Sequence, residues 1–322
     1  MITVSFCLIF YNQEKFIQDS MDSILSMNLP FDYEILVGDD GSNDNTVNIV
    51  KKYQKSYPGK IKLFIMPRKK GKKYNPIERA SANRLNLVKE SQGKYISFLD
   101  GDDYFCDKHF VNQAVQILEK DKSLIACMGN YQHVYSNGTT KVIRNKLPVG
   151  VITPSVYIST TYLPAGCGVF RNIWCNTNKY DKSLKDIFDD NVITLYLLQY
   201  GAMYHMDKVV YSYRQLQTSI WNTANITEQN ILNALDYEVL CSLLPKYKHS
   251  ILKRQFSSIK YLYKNKHKIQ ILLDAEKYNK YLQQSKDDFF VHGCINYHNL
   301  SFKQKIELLV FYNKLKRGYK HD

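Results

Sequence analysis

From residue 2 to about residue 105, apolar and polar positions alternate in blocks that switch between two periods. Ile2 to Phe10 is almost wholly apolar and predicts a buried strand. After Tyr11-Asn12-Gln13, the apolar residues Phe16, Ile17, Met21, Ile24 and Leu25 recur at helical spacing, with Pro30 beyond the helix end. A second strand, Tyr33 to Gly38, stops at the turn and cap residues Asp39-Asp40-Gly41-Ser42. A helix from Asn45 to Tyr57, a strand from Ile61 to Met66, a helix from Ile77 to Glu90 and a strand from Tyr95 to Leu99 complete the series. Strand–helix repetition of this kind predicts a parallel sheet with helices on both faces. Such sheets bind ligands beyond the carboxyl ends of their strands. Here those ends carry Tyr11-Asn12, Asp39-Asp40 and Asp100-Gly101-Asp102-Asp103.

The order changes after residue 106. A helix from Asp107 to Lys120 leads to a strand around Leu124 to Tyr135, and Asn137-Gly138 predicts a hairpin turn into Thr139 to Arg144. Thr153-Pro154 reads as an N-cap with a first-turn proline. Asp189-Asp190 precedes an apolar helix, Val192 to Tyr200, ended by Gly201, and two short strands follow at Ala202–Met206 and Val209–Tyr213. From about residue 225 the pattern is helical. Ile251, Leu252, Phe256, Ile259, Leu262 and Tyr263 share one side of a helix. Phe302, Ile306, Leu309 and Val310 share a side of another, which Ser301 is expected to cap and Gly318 to end. The expected division is a domain at 1–222 and a basic helical region at 223–322.

Composition narrows the picture. The formal charge is 44 − 30 = +14, compatible with nucleic acid, an anionic membrane surface, a polyanionic substrate or simply lysine-rich usage. Residues 223–322 hold 17 Lys/Arg and 9 Asp/Glu, hence +8. No apolar run reaches the roughly 18 residues that span a bilayer, and the apolar start lacks a preceding basic residue and a cleavage site. The expectation is a cytoplasmic protein, peripheral at most at the inner face of the membrane. The seven cysteines form no C-x-x-C pair, so free thiols are expected rather than zinc or disulfides.

Three carboxylates within Asp100-Gly101-Asp102-Asp103 crowd negative charge at a strand end, which a divalent hard cation would relieve; a solvated turn is the plainer alternative. Asp39-Asp40 offers acceptors for a base or ribose, or a simple turn and cap. Asp189-Asp190 fits a general base or a helix N-terminal pair favoured by the dipole.

Taken together, Val4 to Phe10 with Tyr11-Asn12 and Glu14, Glu34 to Thr46, and Gly93 to Asp103 resemble a family 2 glycosyltransferase. That resemblance spans residues 1 to about 222 and implies a GT-A type α/β fold: a nucleotide-binding mixed sheet flanked by helices, here with a C-terminal helical region. It implies inverting transfer of a sugar from a nucleotide diphosphate, usually UDP, assisted by Mn²⁺ or Mg²⁺, to a glycan or lipid-linked acceptor. By that resemblance Tyr11, Asn12 and Glu14 line the nucleotide pocket, and Asp40 faces the base with Asp39 beside it. Arg79 and Arg84 contact the donor, Asp100 lies by the ribose and the metal with Gly101 on the donor side, and Asp102 is the direct metal ligand. Asp190, with Asp189 beside it, is the general base. Asp103 either supports the metal ligand from behind or faces the acceptor, and Gly166 and Trp221 lie on the acceptor side. Where many relatives carry a His, this chain has Leu216, so Arg214 is the expected diphosphate contact. Processive members carry Gln-x-x-Arg-Trp; Gln217 to Trp221 has Ile220 in place of the Arg.

Two other classes compete. A nucleic-acid or anionic-surface binding module would use the +14 charge, but the acidic strand ends repel phosphate unless a cation is present. A nucleotidyltransferase would carry a Gly-rich basic loop where Phe10-Tyr11-Asn12-Gln13 stands. No nucleic-acid partner is expected. The basic C-terminal helices are expected to touch an anionic membrane or to pair two copies into a homodimer.

Overall fold

The computed structural model describes the chain except residues 73, 161, 176–183, 185–187, 218, 220–222 and 321–322, and the side chains at 160, 238 and 320. The chain divides into two compact units, Met1–Tyr157 with Thr161–Leu216, and Ile158–Thr160 with Gln217–Asp322.

The first unit is built on a mixed sheet of ten strands: β1 (Val4–Phe10), β2 (Tyr33–Asp39), β3 (Ile61–Ile65), β4 (Tyr95–Asp100), β5 (Tyr104–Phe105), β6 (Leu124–Val134), β7 (Thr140–Ile143), β8 (Gly150–Ile152), β9 (Gly168–Arg171) and β10 (Ala202–Arg214). Their order is β3-β2-β1-β4-β9-β6-β10-β5, with β7 on β6 and β8 on β10. The first four strands run parallel, as the strand–helix repetition predicts. β9 then enters reversed between β4 and β6, which makes the sheet mixed.

Parallel strands covered on both faces read as continuous apolar runs, and the side chains of β1 are buried along nearly its whole length. The covering helices are α1 (Ile17–Leu25), α2 (Thr46–Ser56), α3 (Pro76–Glu90) and α4 (Phe110–Lys120). α3 starts as its sequence dictates: Asn75 Oδ1 accepts the Ile77 amide, and Pro76 occupies the first turn, where no N–H is needed. The short α5 (Pro154–Thr160) follows Thr153, and α6 is Asp190–Leu198.

Two expectations for this unit are corrected. The segment after Gly201 is one strand, not two: β10 stays paired with β6 through register shifts at His205/Val209 and Val209/Tyr211. The exposed Asp207-Lys208 is a bulge, which resembles a turn in sequence because its side chains face water. The helix after Asp107 begins at Phe110, since Asp107 Oδ1 accepts the His109 amide at 2.8 Å and holds a turn first.

The second unit is helical among its described residues: α7 (Ile226–Leu243), α8 (Lys248–Asn265), α9 (Ile269–Leu272), α10 (Ala275–Gln284), α11 (Phe289–Ile295) and α12 (Phe302–Lys320). Asn225 and Glu228 form a reciprocal capping box on α7. α8 buries Ile251, Leu252, Phe256, Ile259 and Leu262, as its spacing predicts.

α12 departs from expectation. Its buried residues are Leu308, Tyr312 and Leu315, whereas Phe302, Ile306, Leu309 and Val310 are 80, 45, 44 and 61% exposed. The helix carries two apolar stripes, and periodicity alone does not say which is covered. Ser301 does cap it, with Gln304 returning the hydrogen bond. Gly318 does not end it, because the helix continues to Lys320 and the glycine lies against Leu252 of α8. Among the described residues no helix is long and apolar enough to cross a membrane.

Candidate active site

The carboxyl ends of β1, β2 and β4 lie side by side because these strands pair in parallel register, Phe10 opposite Asp39 and Ile9 opposite Asp100. The polar residues that follow each strand therefore reach one sheet edge, as the sequence pattern required.

The turn after β1 is laced to the turn after β2. Asn12, at a left-handed φ of 53°, donates its amide to Ser42 Oγ at 2.9 Å and accepts from the Asn43 amide at 2.9 Å. Glu14 Oε2 accepts the Asn45 amide at 2.9 Å, and the Glu14 amide donates to Asp44 Oδ2. Asn12 and Glu14 thus spend these polar groups on joining the two turns.

Asp39 is buried, and its Oδ2 accepts the Gly41 and Ser42 amides at 2.9 and 2.8 Å. Its Oδ1 has no hydrogen-bond partner among the described residues. Asp40 is clasped by two guanidinium groups, Arg68 and Arg79. Arg68 also donates to the Asp40 carbonyl at 2.7 Å and lies 3.8 Å over the Tyr11 ring, a cation–π stack. Tyr11 remains 43% exposed. Arg79, expected to contact a donor, thus pairs with Asp40 at this sheet edge, and Arg68 pairs with the same carboxylate.

Arg84 of α3 donates through Nη2 to both carboxylate oxygens of Asp100, at 2.7 and 2.9 Å, and its Nη1 lies 3.5 Å from the Phe188 carbonyl just before Asp189-Asp190. This buried arginine stands between the end of β4 and the start of α6. Asp189 is the N-cap of α6, its Oδ1 accepting the Val192 amide at 2.9 Å. Asp190 opens the helix. Burial and then the charge of Asp100 raise its carboxyl well above the ordinary carboxylate range, and Arg84 opposes that rise. Tyr162 Oη lies 3.5 Å from Asp190 Oδ2.

Burial, followed by the charge of Asp100, pushes the pKa of Asp102 up to about 6, and the nearby Gln13 side chain opposes that rise. Gly101 is required by close approach: a Cβ there would lie 2.0 Å from Phe10 Cδ1 and 2.2 Å from Gln13 Oε1. Asp103 is 1% exposed, and its two oxygens accept Tyr211 Oη at 2.6 Å and the Arg214 amide at 2.7 Å. Its carboxylate thus faces inward onto β10. Burial, then the charge of Asp102, raises its pKa. Arg214 donates to the Asp102 carbonyl at 2.6 Å and pairs with Asp19, and so braces the acidic turn. Ser20 ties the same turn from α1, bonding the carbonyls of Gly101 and Asp103. Gly166 packs under the Tyr211 ring. Trp221 lies outside the described residues.

A divalent cation can be tested against this donor set. Asp100 and Asp102 carry hard oxygen atoms whose mutual repulsion a cation would lower. No group of three His, Cys, Asp or Glu suited to a metal occurs among the described residues. Two carboxylates fit a cation of the Mg²⁺ kind, which keeps few protein ligands and takes substrate phosphate oxygens for others.

The sequence missed Gln13, Ser20, Arg68 and Tyr211. Their roles arise from contacts across the fold.

Residues 5–177 match the sequence profile of glycosyl transferase family 2. The glucosyltransferase WfgD of Escherichia coli, a UDP-Glc:α-D-GlcNAc-diphosphoundecaprenol β-1,3-glucosyltransferase, is 30% identical over 185 residues, 58% of this chain and 62% of its own. An uncharacterized protein of Mycobacterium bovis is 25% identical over 135 residues, 42% of this chain and 37% of its own. The chain thus spans less than two thirds of the length of either relative. In fold, it resembles the crystal structure of Staphylococcus aureus TarS 1-349 in complex with UDP, with a TM-score of 0.62 at 16% identity, covering 99% of this chain and 91% of that one. The mixed sheet with its flanking helices is of the GT-A type, and the chain belongs to glycosyltransferase family 2.

Proposed function

We propose that residues 1–222 form an inverting glycosyltransferase domain that moves a sugar from a UDP-sugar to a hydroxyl of a glycan or lipid-linked acceptor. The observation that carries this reading is the meeting of three strand ends at one edge, with Asp190 facing that edge across Arg84. The UDP in the TarS structure and the UDP-Glc donor and diphosphoundecaprenol acceptor in the E. coli relative's name support the donor and acceptor classes.

In this reading the nucleotide lies along the edge formed by Tyr11, Asp39 and Asp40. The Arg68–Asp40–Arg79 clasp fixes that carboxylate in orientation. Asp102 and Asp100 would hold Mn²⁺ or Mg²⁺, which supplies neutralising charge for the leaving diphosphate. Arg84 keeps Asp100 in place and limits the charge that Asp190 feels. Asp190 accepts the proton of the acceptor hydroxyl as that oxygen attacks the anomeric carbon from the face opposite the diphosphate. A raised carboxyl suits that task, since a general base works best with a pKa near the working pH. Asp189, spent on capping α6, orients Asp190. Asp103 and Arg214 brace the acidic turn, while Gly166 and Trp221 border the acceptor.

The helical region, 223–322, is proposed to rest on an anionic membrane at the cytoplasmic face. Its support is the exposed stripe of α12 beside the exposed Lys303, Lys314, Lys316 and Arg317. A homodimer through this face would bring those cations together.

The direct test is a panel of UDP-, GDP- and dTDP-sugars, assayed for hydrolysis with and without Mn²⁺. Hydrolysis of a UDP-sugar is expected. With the acceptor supplied, Asp190→Asn should bind donor and lose transfer; retained transfer would move the base to Asp189. No response to any nucleotide sugar would refute the reading.

A further inference from the structure

Four aromatic side chains form a row on one face of the sheet that the mechanism above does not use. Tyr131, His133 and Tyr135 alternate along β6 and its continuation, so they project to the same side. Tyr213 of β10 lies opposite His133 in the parallel register. Ring centroids are 5.6 Å apart for Tyr131–His133, 6.2 Å for His133–Tyr135 and 5.8 Å for His133–Tyr213. Unlike the core rings Tyr95 and Tyr157, these are half-buried, and Tyr135 is 38% exposed. The row starts at the acidic site. Tyr211, one pleat before Tyr213, bonds Asp103, and the charges of Asp103 and Asp190 act on the Tyr213 hydroxyl. It runs outward to the hairpin at Gly138, where Lys141 of β7 is in register with His133.

We infer that this row is a binding subsite for consecutive pyranose rings of a glycan acceptor, leading its terminal hydroxyl toward Asp190. This inference rests on the glycosyltransferase reading. The chemistry is that of aromatic faces. Each ring presents a negative face, and the axial C–H groups on one side of a pyranose form a weakly positive, apolar face that covers it, leaving hydroxyls at the edges for hydrogen bonds. The ring-to-ring steps are close to the width of a sugar ring, so successive sugars meet successive side chains. Burial and then Lys141 lower the pKa of His133, which favours the uncharged ring in the middle of the row. A phosphate-rich strand such as RNA would have to bring its charge to Asp102, Asp103 and Asp190, so a neutral glycan is the better occupant.

The test uses the full chain with UDP present. Cello-, chito- and malto-oligosaccharides of increasing length are the probes, read by saturation-transfer NMR and titration. In wild type, affinity for at least one series should rise with length and then level off. Tyr135→Ala should weaken that binding by about threefold to tenfold, the loss expected for one aromatic contact, with UDP-sugar hydrolysis unchanged. Tyr135→Leu keeps bulk and strand preference without an aromatic face, and should show the same loss if the alanine variant folds poorly. Hydrolysis intact with no oligosaccharide binding, or with binding indifferent to both variants, would overturn this inference alone and leave the row as cross-strand packing. Poly(U) binding that Tyr135→Ala abolishes would also overturn it. Absent hydrolysis and absent UDP binding in wild type would instead remove the reading on which it rests.

Discussion

Arg84 is the residue whose removal most sharply separates a braced acidic site from a set of independent surface charges. It is 7% exposed, donates from Nη2 to both Asp100 oxygens at 2.7 and 2.9 Å, and opposes the rise of the Asp190 carboxyl. Arg84→Met keeps the length of the stem and deletes the charge. Breaking a fully buried pair costs about 3–5 kcal/mol, because the partner is left uncompensated. Water reaches 28% of the Asp100 side chain, and exposed pairs contribute only about 0–1 kcal/mol. A loss of about 2 kcal/mol is therefore expected between these limits. For a unit of this size that corresponds to a Tm lower by about 4–8 °C, measurable by calorimetry. The loss should depend on pH. Without the guanidinium, the Asp190 carboxyl rises further, so the folded variant binds more protons than the unfolded chain across that window. Its deficit should be full above the raised pKa and shrink as pH falls toward the ordinary carboxylate range. Donor binding should weaken with it, since Asp100 loses its orientation. A deficit below ~0.5 kcal/mol, or one constant from about pH 8 to about pH 5, would refute this reasoning.

Other consequences can be checked separately. Because burial and Asp100 raise the Asp190 carboxyl, the ionised form penalises folding above its pKa; Asp190→Asn should raise Tm at about pH 8, lose the gain at low pH, and lose transfer. The rate of transfer in wild type should fall on the acid side at a pH above the ordinary carboxylate value of about 3.9; an acid limb at that ordinary value would count against Asp190 as base. Gly101→Ala places a methyl 2.0 Å from the Phe10 ring, and overpacking of this kind should cost about 1–3 kcal/mol, read by urea melts. Vesicles rich in anionic lipid should float with the chain at low salt. Phe302→Ser with Val310→Ser should abolish that without lowering Tm, since both side chains are exposed; unchanged flotation would free α12 of the role.

How far the sequence carried differs by region, for physical reasons. β1, β2 and β4 were legible because strands buried on both faces write uninterrupted apolar runs, and the acidic residues at their ends followed from the parallel register. β9 was not, because Gly168–Arg171 is short and its reversed insertion between β4 and β6 depends on pairing far along the chain. β10 split in sequence at Asp207-Lys208 because a bulge and a turn both expose polar residues. On α12, Phe302, Ile306, Leu309 and Val310 satisfy helical spacing as well as Leu308, Tyr312 and Leu315 do, and only tertiary packing chooses between them. Within the site, residue types at strand ends were readable; their partners were not. Asp40 between Arg68 and Arg79, and Asp103 turned onto Tyr211, are outcomes of side chains meeting across 28 to 108 positions of sequence.

The central claim is that Asp100-Gly101-Asp102-Asp103 holds the diphosphate of a nucleotide sugar through a cation on Asp102. Titration of UDP into the full chain, with Mn²⁺ and with chelator, on wild type and Asp102→Ala, tests it most directly. UDP binding to wild type should strengthen at least about tenfold with Mn²⁺, equivalent to about 1.4 kcal/mol, and that dependence should be gone in the variant. Equal UDP affinity with and without the metal, or metal-dependent binding retained in Asp102→Ala, would contradict it.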